Sequence, residues 1–157
     1  MINREAIYSW TAAFLSGAAV FASDQWLKWY FFDIRHYEGE AFSIFNGFFR
    51  STLHHNFGIS FNLPIPLFII ILITGIALGW SIALLTERAR SNQIIPCLLV
   101  GVFIGGTLGN AFDRLALGFV RDWLLLFGRS AINLADAAIA ISLISFLLTQ
   151  SKKSGTR

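Results

Sequence analysis

The chain has 157 residues, of which 55% are hydrophobic and only 13% are charged, and its mean hydropathy is +0.64. A soluble domain usually has about a quarter charged residues, so this chain lacks the charge to cover a water-facing surface. Its 16 Phe and 5 Trp residues also exclude a disordered chain, because so much aromatic surface has to be buried. The net charge of +3 includes no basic cluster longer than Lys152-Lys153, which gives little support to nucleic-acid binding. The composition indicates an integral membrane protein.

Four apolar segments approach the roughly 20 residues that a helix needs to cross a hydrocarbon core about 30 Å thick. In chain order they cover residues 10–32, 65–86, 94–112 and 131–149. We therefore predict an all-α membrane protein in which residues 1–157 form one domain, a bundle of four transmembrane helices. The polar residues 150–157 are predicted to be a disordered tail.

The second and third segments carry glycines at helical spacing, Gly75 and Gly79 in the one and Gly101, Gly105 and Gly109 in the other. Glycines four residues apart lie on one helix face and let helix backbones approach closely. We expect these faces to be sites of tight helix packing.

The loop of residues 33–64, between the first two segments, is too rich in phenylalanine for an ordinary solvated linker. Within it, Asn46-Gly47 separates aromatic pairs, and Asn-Gly between apolar runs is typical of a β-hairpin. Aromatic-rich segments also tend to lie at the level of the lipid headgroups. We predict a small β platform that rests on the outer membrane surface and contacts lipid.

Basic residues divide between the two sides that a bundle of four spans would have. Six lie in the terminal segments and the 87–93 loop, and five lie in the two loops opposite. The six occupy short segments, where positively charged residues are the best guide to the cytoplasmic side. We predict that both termini are cytoplasmic and that the 33–64 and 113–130 loops share the outer face.

Ionisable residues inside a membrane span are costly and are therefore candidates for function. Asp24 and Lys28 are four residues apart in the first segment, so they share a helix face and can pair. A buried structural ion pair is the interpretation that we favour over direct catalysis. His54 and His55 would point apart in an extended segment, and we expect neither a metal site nor a cofactor.

Polar residues gather at the end of the third segment and at the start of the fourth. Asn110 precedes Asp113 by three residues and Arg114 by four, so the three can meet on one helix face. Asn133 and Asp136 are likewise one turn apart at the start of the fourth segment. Both sets are predicted to lie near the outer membrane surface.

Asp122 lies in the loop that joins the third and fourth segments, so its carboxyl and that of Asp136 can come together. Two adjacent carboxyls share a proton, since both cannot ionise cheaply. One can then activate a water molecule as a base while the other donates a hydrogen bond to a carbonyl, which is the chemistry of an aspartic protease. Spacing alone leaves open a helix N-cap for Asp136 and a salt bridge with Arg114 for Asp113.

Five short blocks of the sequence occur in an order that a known family shares. They are Ser23-Asp24-Gln25-Trp26-Leu27-Lys28, Asn56-Phe57-Gly58-Ile59-Ser60-Phe61, Gly105 to Arg114, Val120-Arg121-Asp122 and Asn133-Leu134-Ala135-Asp136. With them the chain resembles lipoprotein signal peptidase, also called signal peptidase II, a bacterial family of inner-membrane aspartic peptidases. The resemblance covers essentially the whole chain, and five blocks in the same order are highly specific.

The resemblance implies a catalytic pair and a set of residues around it. The pair is Asp122 and Asp136. The residues that bind substrate or support the site are Asn56, Gly58, Asn110, Asp113, Arg114, Asn133, Asp24 and Lys28. Arg121 is less apolar than the family pattern leads us to expect, and its charge could keep Asp122 ionised.

The resemblance also implies a substrate and a location. The expected substrate is a bacterial prolipoprotein whose signal peptide precedes a diacylglyceryl-modified cysteine, and the chain is cut on the amino side of that cysteine. The protein is expected to be a monomer in the cytoplasmic (inner) membrane, with its active site at the outer face. It is expected to need no metal or cofactor and to have no nucleic-acid partner.

Two other functions are open to a small membrane protein of this composition. A transporter or proton channel would use a relay of ionisable residues spread through the depth of the membrane. A non-catalytic scaffold would assemble through the glycines of the third segment, but it would leave the polar blocks unexplained. The concentration of Asp113, Asp122 and Asp136 at one edge favours hydrolysis.

Overall fold

This computed structural model describes residues 4–34, 43–44, 48–58, 63 and 65–154. These residues form four α-helices and a four-stranded antiparallel sheet. The helices are α1 (Arg4–Trp29), which continues as a π-helical turn (Tyr30–Ile34), α2 (Leu67–Arg90), α3 (Ile94–Leu117) and α4 (Leu134–Ser154). The strands are β1 (Ser43–Ile44), β2 (Phe49–Asn56), β3 (Val120–Leu126) and β4 (Ser130–Ile132).

Three helices of the described part are long and apolar enough to cross a membrane, namely α1 with its π-helical turn, α2 and α3. Their outward surfaces are apolar, and large side chains such as Phe14, Phe68 and Trp80 are 73%, 71% and 66% exposed. Exposed apolar surface of this extent is unstable in water and stable in lipid. The mostly helical membrane fold is confirmed.

The fourth helix differs from the predicted segment at both ends. The predicted start at residue 131 is wrong, because residues 130–132 form β4 and α4 begins at Leu134. Its apolar part, Leu134–Thr149, is shorter than the three candidate spans, so the count of four transmembrane helices stays a prediction. The predicted tail is corrected in part, since residues 150–154 belong to α4 and residues 155–157 lie outside the described residues.

Helix α3 packs closely against α1 through its glycines. A side chain at Gly101 would collide with the Ala13 carbonyl, and one at Gly105 would collide with the Gly17 carbonyl. A β-carbon at Gly109 would lie 2.5 Å from Oδ2 of an α1 carboxylate. The predicted close packing is therefore confirmed for this face of α3.

The glycines of α2 do not have the predicted role. A β-carbon at Gly75 or at Gly79 would meet no atom of the described residues within 4 Å. Both glycines therefore face away from the rest of the fold, and the expected tight packing at this face is wrong.

The sheet is ordered β1-β2-β3-β4 with every neighbouring pair antiparallel. β1 pairs with β2 on either side of residues 45–47, as the predicted hairpin requires, although Asn46-Gly47 itself lies outside the described residues. A second hairpin joins β3 to β4 through Phe127 and Gly128, whose φ angles are 53° and 66°. Two positive φ values are typical of the tightest hairpin turns.

The predicted β platform therefore exists, but its composition is corrected. Half of its strands come from the chain between α3 and α4, not from the 33–64 loop. Gly118, with a left-handed φ of 83°, ends α3 and turns the chain into β3. This turn brings residues 120–122 back over the ends of α1 and α3, which is where the polar residues of those helices lie.

Candidate active site

A buried polar cluster forms where α1, α3, the sheet and the first turn of α4 meet. Seven of its side chains are at most 7% exposed: Asp24, Lys28, Asn56, Asn110, Asp113, Asp122 and Asn133. Gly58 is buried as well, and Asp136 and Arg114 are half-buried at its edge. The structure therefore brings together all the residues that the sequence predicts for the site.

Asp122 is held on the inner face of β3. Side chains alternate along a strand, so Asp122 is buried beside Val120 while Arg121 points to the other face. Asn56 donates from Nδ2 to Asp122 Oδ2 at 3.0 Å, and Asn133 donates from Nδ2 to Oδ1 at 2.7 Å. Burial, aided by the negative charge of Asp136, raises the pKa of Asp122 to about 7 despite these two hydrogen bonds.

Asp136 is fixed by the start of α4. Asn133, which immediately precedes the helix, accepts at Oδ1 from the Asp136 backbone N–H at 2.9 Å. Asp136 Oδ2 in turn accepts from the Asn133 backbone N–H at 3.3 Å, which is the reciprocal arrangement of a capping box. Asn133 is thus the N-cap residue and Asp136 is not. The second carboxyl oxygen, Oδ1, accepts from Asn110 Nδ2 at 2.7 Å.

Two asparagine amides connect the carboxyls of Asp122 and Asp136. Asn133 Nδ2 donates both to Asp122 and, at 3.1 Å, to Asn110 Oδ1. Asn110 Oδ1 also accepts from Lys28 Nζ at 3.0 Å. Because an ammonium group can only donate, Lys28 fixes the amide so that Nδ2 faces Asp136. Each carboxyl is held by donors on both oxygens and is linked to the other through shared amides.

The predicted ion pair between Asp24 and Lys28 is confirmed. Lys28 Nζ lies 2.7 Å from Asp24 Oδ2, and both side chains are fully buried. The other oxygen of Asp24 accepts from the Ala135 backbone N–H at 2.9 Å. That N–H belongs to the first turn of α4, which has no partner for it within the helix. A carboxylate of α1 therefore caps α4 and fixes the position of the neighbouring Asp136.

Asp113 pairs with Arg121 and Lys28 instead of the adjacent Arg114. Arg121 donates to its two oxygens at 2.8 and 3.2 Å, and Lys28 Nζ lies 3.3 Å away. Arg121 also donates to Gln25 Oε1 at 2.8 Å. The charge of Arg121 is therefore directed to Asp113, not to the next residue along β3. Neither Arg121 nor Gln25 was predicted as a site residue, although both are sequence neighbours of predicted aspartates.

Arg114 supports the site from the other side. Its guanidinium donates from an Nη atom to the Gly58 carbonyl at 2.8 Å. The Gly58 backbone N–H donates to Asn56 Oδ1 at 3.0 Å, which leaves the Asn56 amide nitrogen free to face Asp122. Arg114 thus anchors the chain that follows β2 and, through it, orients Asn56.

A cavity of about 540 Å³ opens beside Asp136 between α2, α3 and α4. Asn56, Asn110 and Arg114 form its polar end. Most of the rest is apolar, including Ile70, Ile73, Ile139, Ala140 and Leu143, with a few hydroxyl side chains among them. Its volume is that of a ligand site, and its polar end includes the carboxyl of Asp136. Asp122 is fully buried and does not line the cavity. Among the described residues, no group of three or more His, Cys, Asp and Glu is arranged to hold a metal ion.

Comparison with known proteins identifies the family. A family model described as signal peptidase (SPase) II matches residues 17–152. The chain belongs to the signal peptidase II family. Two relatives are named lipoprotein signal peptidase. The relative from Shouchella clausii is 30% identical over 92% of this chain and 99% of its own length. The relative from Pseudoalteromonas atlantica is 34% identical over 82% of this chain and 81% of its own length.

A solved structure shares the fold of this signal peptidase II family member. It is a bacterial membrane enzyme determined by the in meso method, with a TM-score of 0.81 over 92% of this chain and 91% of that chain. A second structure of a bacterial membrane enzyme gives a TM-score of 0.76. Both are 22% identical to this chain, so the likeness concerns the arrangement of helices and sheet alone.

Proposed function

We propose that this protein is an aspartic endopeptidase that removes the signal peptide from diacylglyceryl-modified prolipoproteins, cutting on the amino side of the lipidated cysteine. One observation carries the proposal. Asp122 and Asp136 are linked through the amides of Asn110 and Asn133, and Asp136 lies at the polar end of a cavity. Membership of the signal peptidase II family and the names of the two relatives support the substrate.

The charge balance of the buried cluster favours a carboxyl pair that carries one proton. Four carboxyl groups, of Asp24, Asp113, Asp122 and Asp136, lie among three cations, which are Lys28, Arg114 and Arg121. Lys28 neutralises Asp24 and Arg121 neutralises Asp113, so the remaining pair faces one cation. A single proton on the pair brings the cluster to neutrality, which a low-dielectric site favours.

The reaction follows from a singly protonated pair. The ionised carboxylate accepts a proton from a water molecule, whose oxygen attacks the carbonyl carbon of the scissile peptide bond. The protonated carboxyl donates a hydrogen bond to the carbonyl oxygen and stabilises the negative charge that develops there. Proton transfer to the leaving nitrogen then breaks the carbon–nitrogen bond and releases the new amino terminus. The two carboxyls exchange roles as the proton moves between them.

The membrane arrangement is part of the proposal. The 21 residues of α4 span roughly 30 Å at 1.5 Å per residue, so this helix serves as the fourth transmembrane span. Both termini are cytoplasmic, and the carboxyl pair lies at the outer face of the bacterial inner membrane, where a monomer acts on its substrate. The exposed aromatics of the sheet, such as Phe48 and Phe127, contact the lipid headgroups.

The arrangement of charge argues against a proton relay. A relay needs ionisable groups at several depths of the membrane. In the described residues, Asp24, Lys28 and Asp113 instead share one cluster with the carboxyl pair, at one end of α1 and α3.

The test is cleavage of a synthetic diacylated prolipopeptide by the full chain in detergent micelles. Asp122→Asn and Asp136→Asn should each lower the rate at least about 100-fold, because each removes one partner of the acid–base pair. Asp33→Asn is the matched control, since Asp33 is exposed beyond the end of α1. Mass spectrometry should find the lipid on the carboxy-terminal product. A near wild-type rate in either site variant would refute the carboxyl pair.

A further inference from the structure

The cavity continues from Asp136 along the bodies of three helices. On α4, Asp136, Ala140 and Leu143 line it and fall on one helix face. From Asp136 to Leu143 the cavity follows the helix for about 10 Å. On α3, Thr107 and Asn110 line the same cavity one turn apart. The part beyond the pair is apolar except for hydroxyl groups, of which that of Thr107 is the most buried.

Thr107 is a buried donor without a partner. Its residue is 8% exposed, and Oγ1 forms no hydrogen bond with any described residue. Several other helix hydroxyls bond to carbonyls of their own helix, among them Ser81 at 2.7 Å, Thr86 at 2.8 Å and Thr149 at 2.7 Å, although Ser9 Oγ in α1 also has no partner among the described residues. An unmet hydrogen bond costs free energy that the free enzyme does not recover within its helix.

A second unmet donor lies on the same cavity wall. Arg114 Nε is buried without a partner among the described residues, and Arg114 also lines the cavity. Thr107 and Arg114 thus lie one turn on either side of Asn110, which binds Asp136. Unmet donors on both sides of the reacting groups indicate an occupant with acceptors at intervals along its length.

We propose that Thr107 Oγ1 donates a hydrogen bond to a backbone carbonyl of the substrate, one or two residues before the scissile bond. The assignment rests on the proposed function, and it makes Thr107 a substrate-binding residue. A peptide in extended form offers free carbonyls, whereas an acyl chain offers none. Oγ1 is buried in the free protein, and rotation about χ1 moves the hydroxyl to another staggered position, so that it can turn to the occupant.

Spacing sets the position of that carbonyl. Thr107 precedes Asn110 by three residues, which is about 4.5 Å along α3. An extended chain advances about 3.3 Å per residue, so the carbonyl lies one or two residues from the bond being cut. Thr107 lies on the side of the cavity away from the sheet, toward the helix bodies. An apolar signal segment occupies that side, so the carbonyl belongs to the amino side of the bond.

The first experiment compares hydroxyl removal with hydroxyl retention in the full chain in detergent micelles. Thr107→Val should raise KM for a diacylated prolipopeptide about threefold to tenfold, the effect of one hydrogen bond, with a smaller change in kcat. Thr107→Ser keeps the hydroxyl and should remain near the wild type. Thr149→Val is the matched control, because its hydroxyl bonds to its own helix. A KM unchanged in Thr107→Val overturns the assignment.

A second experiment locates the acceptor. Thioamides, which accept hydrogen bonds weakly, replace in turn the amides one, two and three residues before the scissile bond. At one of the first two positions the thioamide should raise KM of the wild type and not that of Thr107→Val. Equal effects on both enzymes at every position overturn the proposal.

Stability separates binding from a structural role. Because the hydroxyl has no partner among the described residues, Thr107→Val should unfold at the wild-type temperature or above, and a marked decrease overturns the proposal. Failure here is distinguishable from failure of the proposed function. In the latter case the Asp122→Asn and Asp136→Asn variants keep cleaving, whatever Thr107→Val does.

Discussion

Lys28 is the buried cation on which three polar groups of the site depend. Its Nζ lies 2.7 Å from Asp24 Oδ2 and 3.3 Å from Asp113 Oδ2, and it donates to Asn110 Oδ1 at 3.0 Å. Lys28→Met removes the ammonium group and keeps most of the apolar stem. We expect this change to lower the free energy of unfolding by about 3–5 kcal/mol, because it leaves a buried charge without its counter-ion.

The contacts identify the carboxylate that carries this loss. Asp113 keeps the guanidinium of Arg121, which donates to it at 2.8 and 3.2 Å. Asp24 keeps neutral donors, among them the Ala135 backbone N–H at 2.9 Å. A second substitution, Asp24→Asn, should therefore return the double variant to within about 1–2 kcal/mol of the wild type, since no unpaired charge is left.

Stability can be measured by thermal labelling with a thiol-reactive dye in detergent micelles, because Cys97 is the chain's single cysteine and is fully buried. Arg90→Met is the matched control, since Arg90 is an exposed cation whose loss should cost no more than about 0.5 kcal/mol. The reasoning is refuted if Lys28→Met unfolds at the wild-type temperature. It is refuted equally if the double variant is as unstable as Lys28→Met alone. Although its stability is restored, the double variant should cleave more slowly than the wild type, because no ammonium group orients Asn110.

Three further predictions concern pH and helix packing. Burial and the Asp136 charge raise the pKa of Asp122 to about 7. We therefore expect kcat/KM to fall as the pH rises through about 7, because the carboxyl pair loses its shared proton. A kcat/KM that stays constant above that pH would contradict this prediction. The folded-state pKa also exceeds the ordinary value of 3.8, so the folded protein binds more protons than the unfolded one between those values. Wild-type stability should therefore decrease with rising pH across this interval relative to Asp122→Asn, as dye labelling at a series of pH values can measure. Gly105→Ala should lower the free energy of unfolding by about 1–3 kcal/mol, because its methyl group meets the Gly17 carbonyl. Gly79→Ala adds the same methyl group in open space, so its effect should be nearly neutral. Equal unfolding temperatures of the two variants would contradict the close α1–α3 packing.

Local spacing explains which parts of the site were predictable from sequence. Asp24 and Lys28 are one helical turn apart, and the structure pairs them as expected. Asn133 and Asp136 are also one turn apart, and they bond to each other at the start of α4. Helical periodicity fixes such neighbours whatever the rest of the fold does.

Contacts between distant segments were not predictable in the same way. The pairing of Asp113 with Arg121 depends on the turn at Gly118, which reverses the chain between α3 and β3. The bond from the Ala135 N–H to Asp24 depends on how α1 packs beside α4. Neither interaction has a spacing that could be recognised in one sequence.

The second hairpin shows a further limit of the sequence pattern. β3 ends in Leu124-Leu125-Leu126, an apolar run without the alternation that marks a half-buried strand. The turn that follows contains Phe127 at a φ of 53°, a conformation that bulky residues rarely adopt. The Phe127 backbone N–H donates a hydrogen bond to the Phe48 carbonyl at 2.9 Å, and the centroids of the two phenyl rings lie 4.1 Å apart. These two contacts hold Phe127 in place. These contacts come from the residue that precedes β2, which is distant in sequence.

The bond between Asp24 and the Ala135 N–H has a consequence for biogenesis. It joins residues that lie 111 positions apart, the one in α1 and the other in α4, which is synthesised later. Asp136 follows directly after Ala135, so it reaches its place only when α4 has been made and has docked against α1. A chain still leaving the ribosome therefore holds one carboxyl of the pair without the other. With the mechanism proposed above, we expect peptidase activity only after α4 has docked against α1.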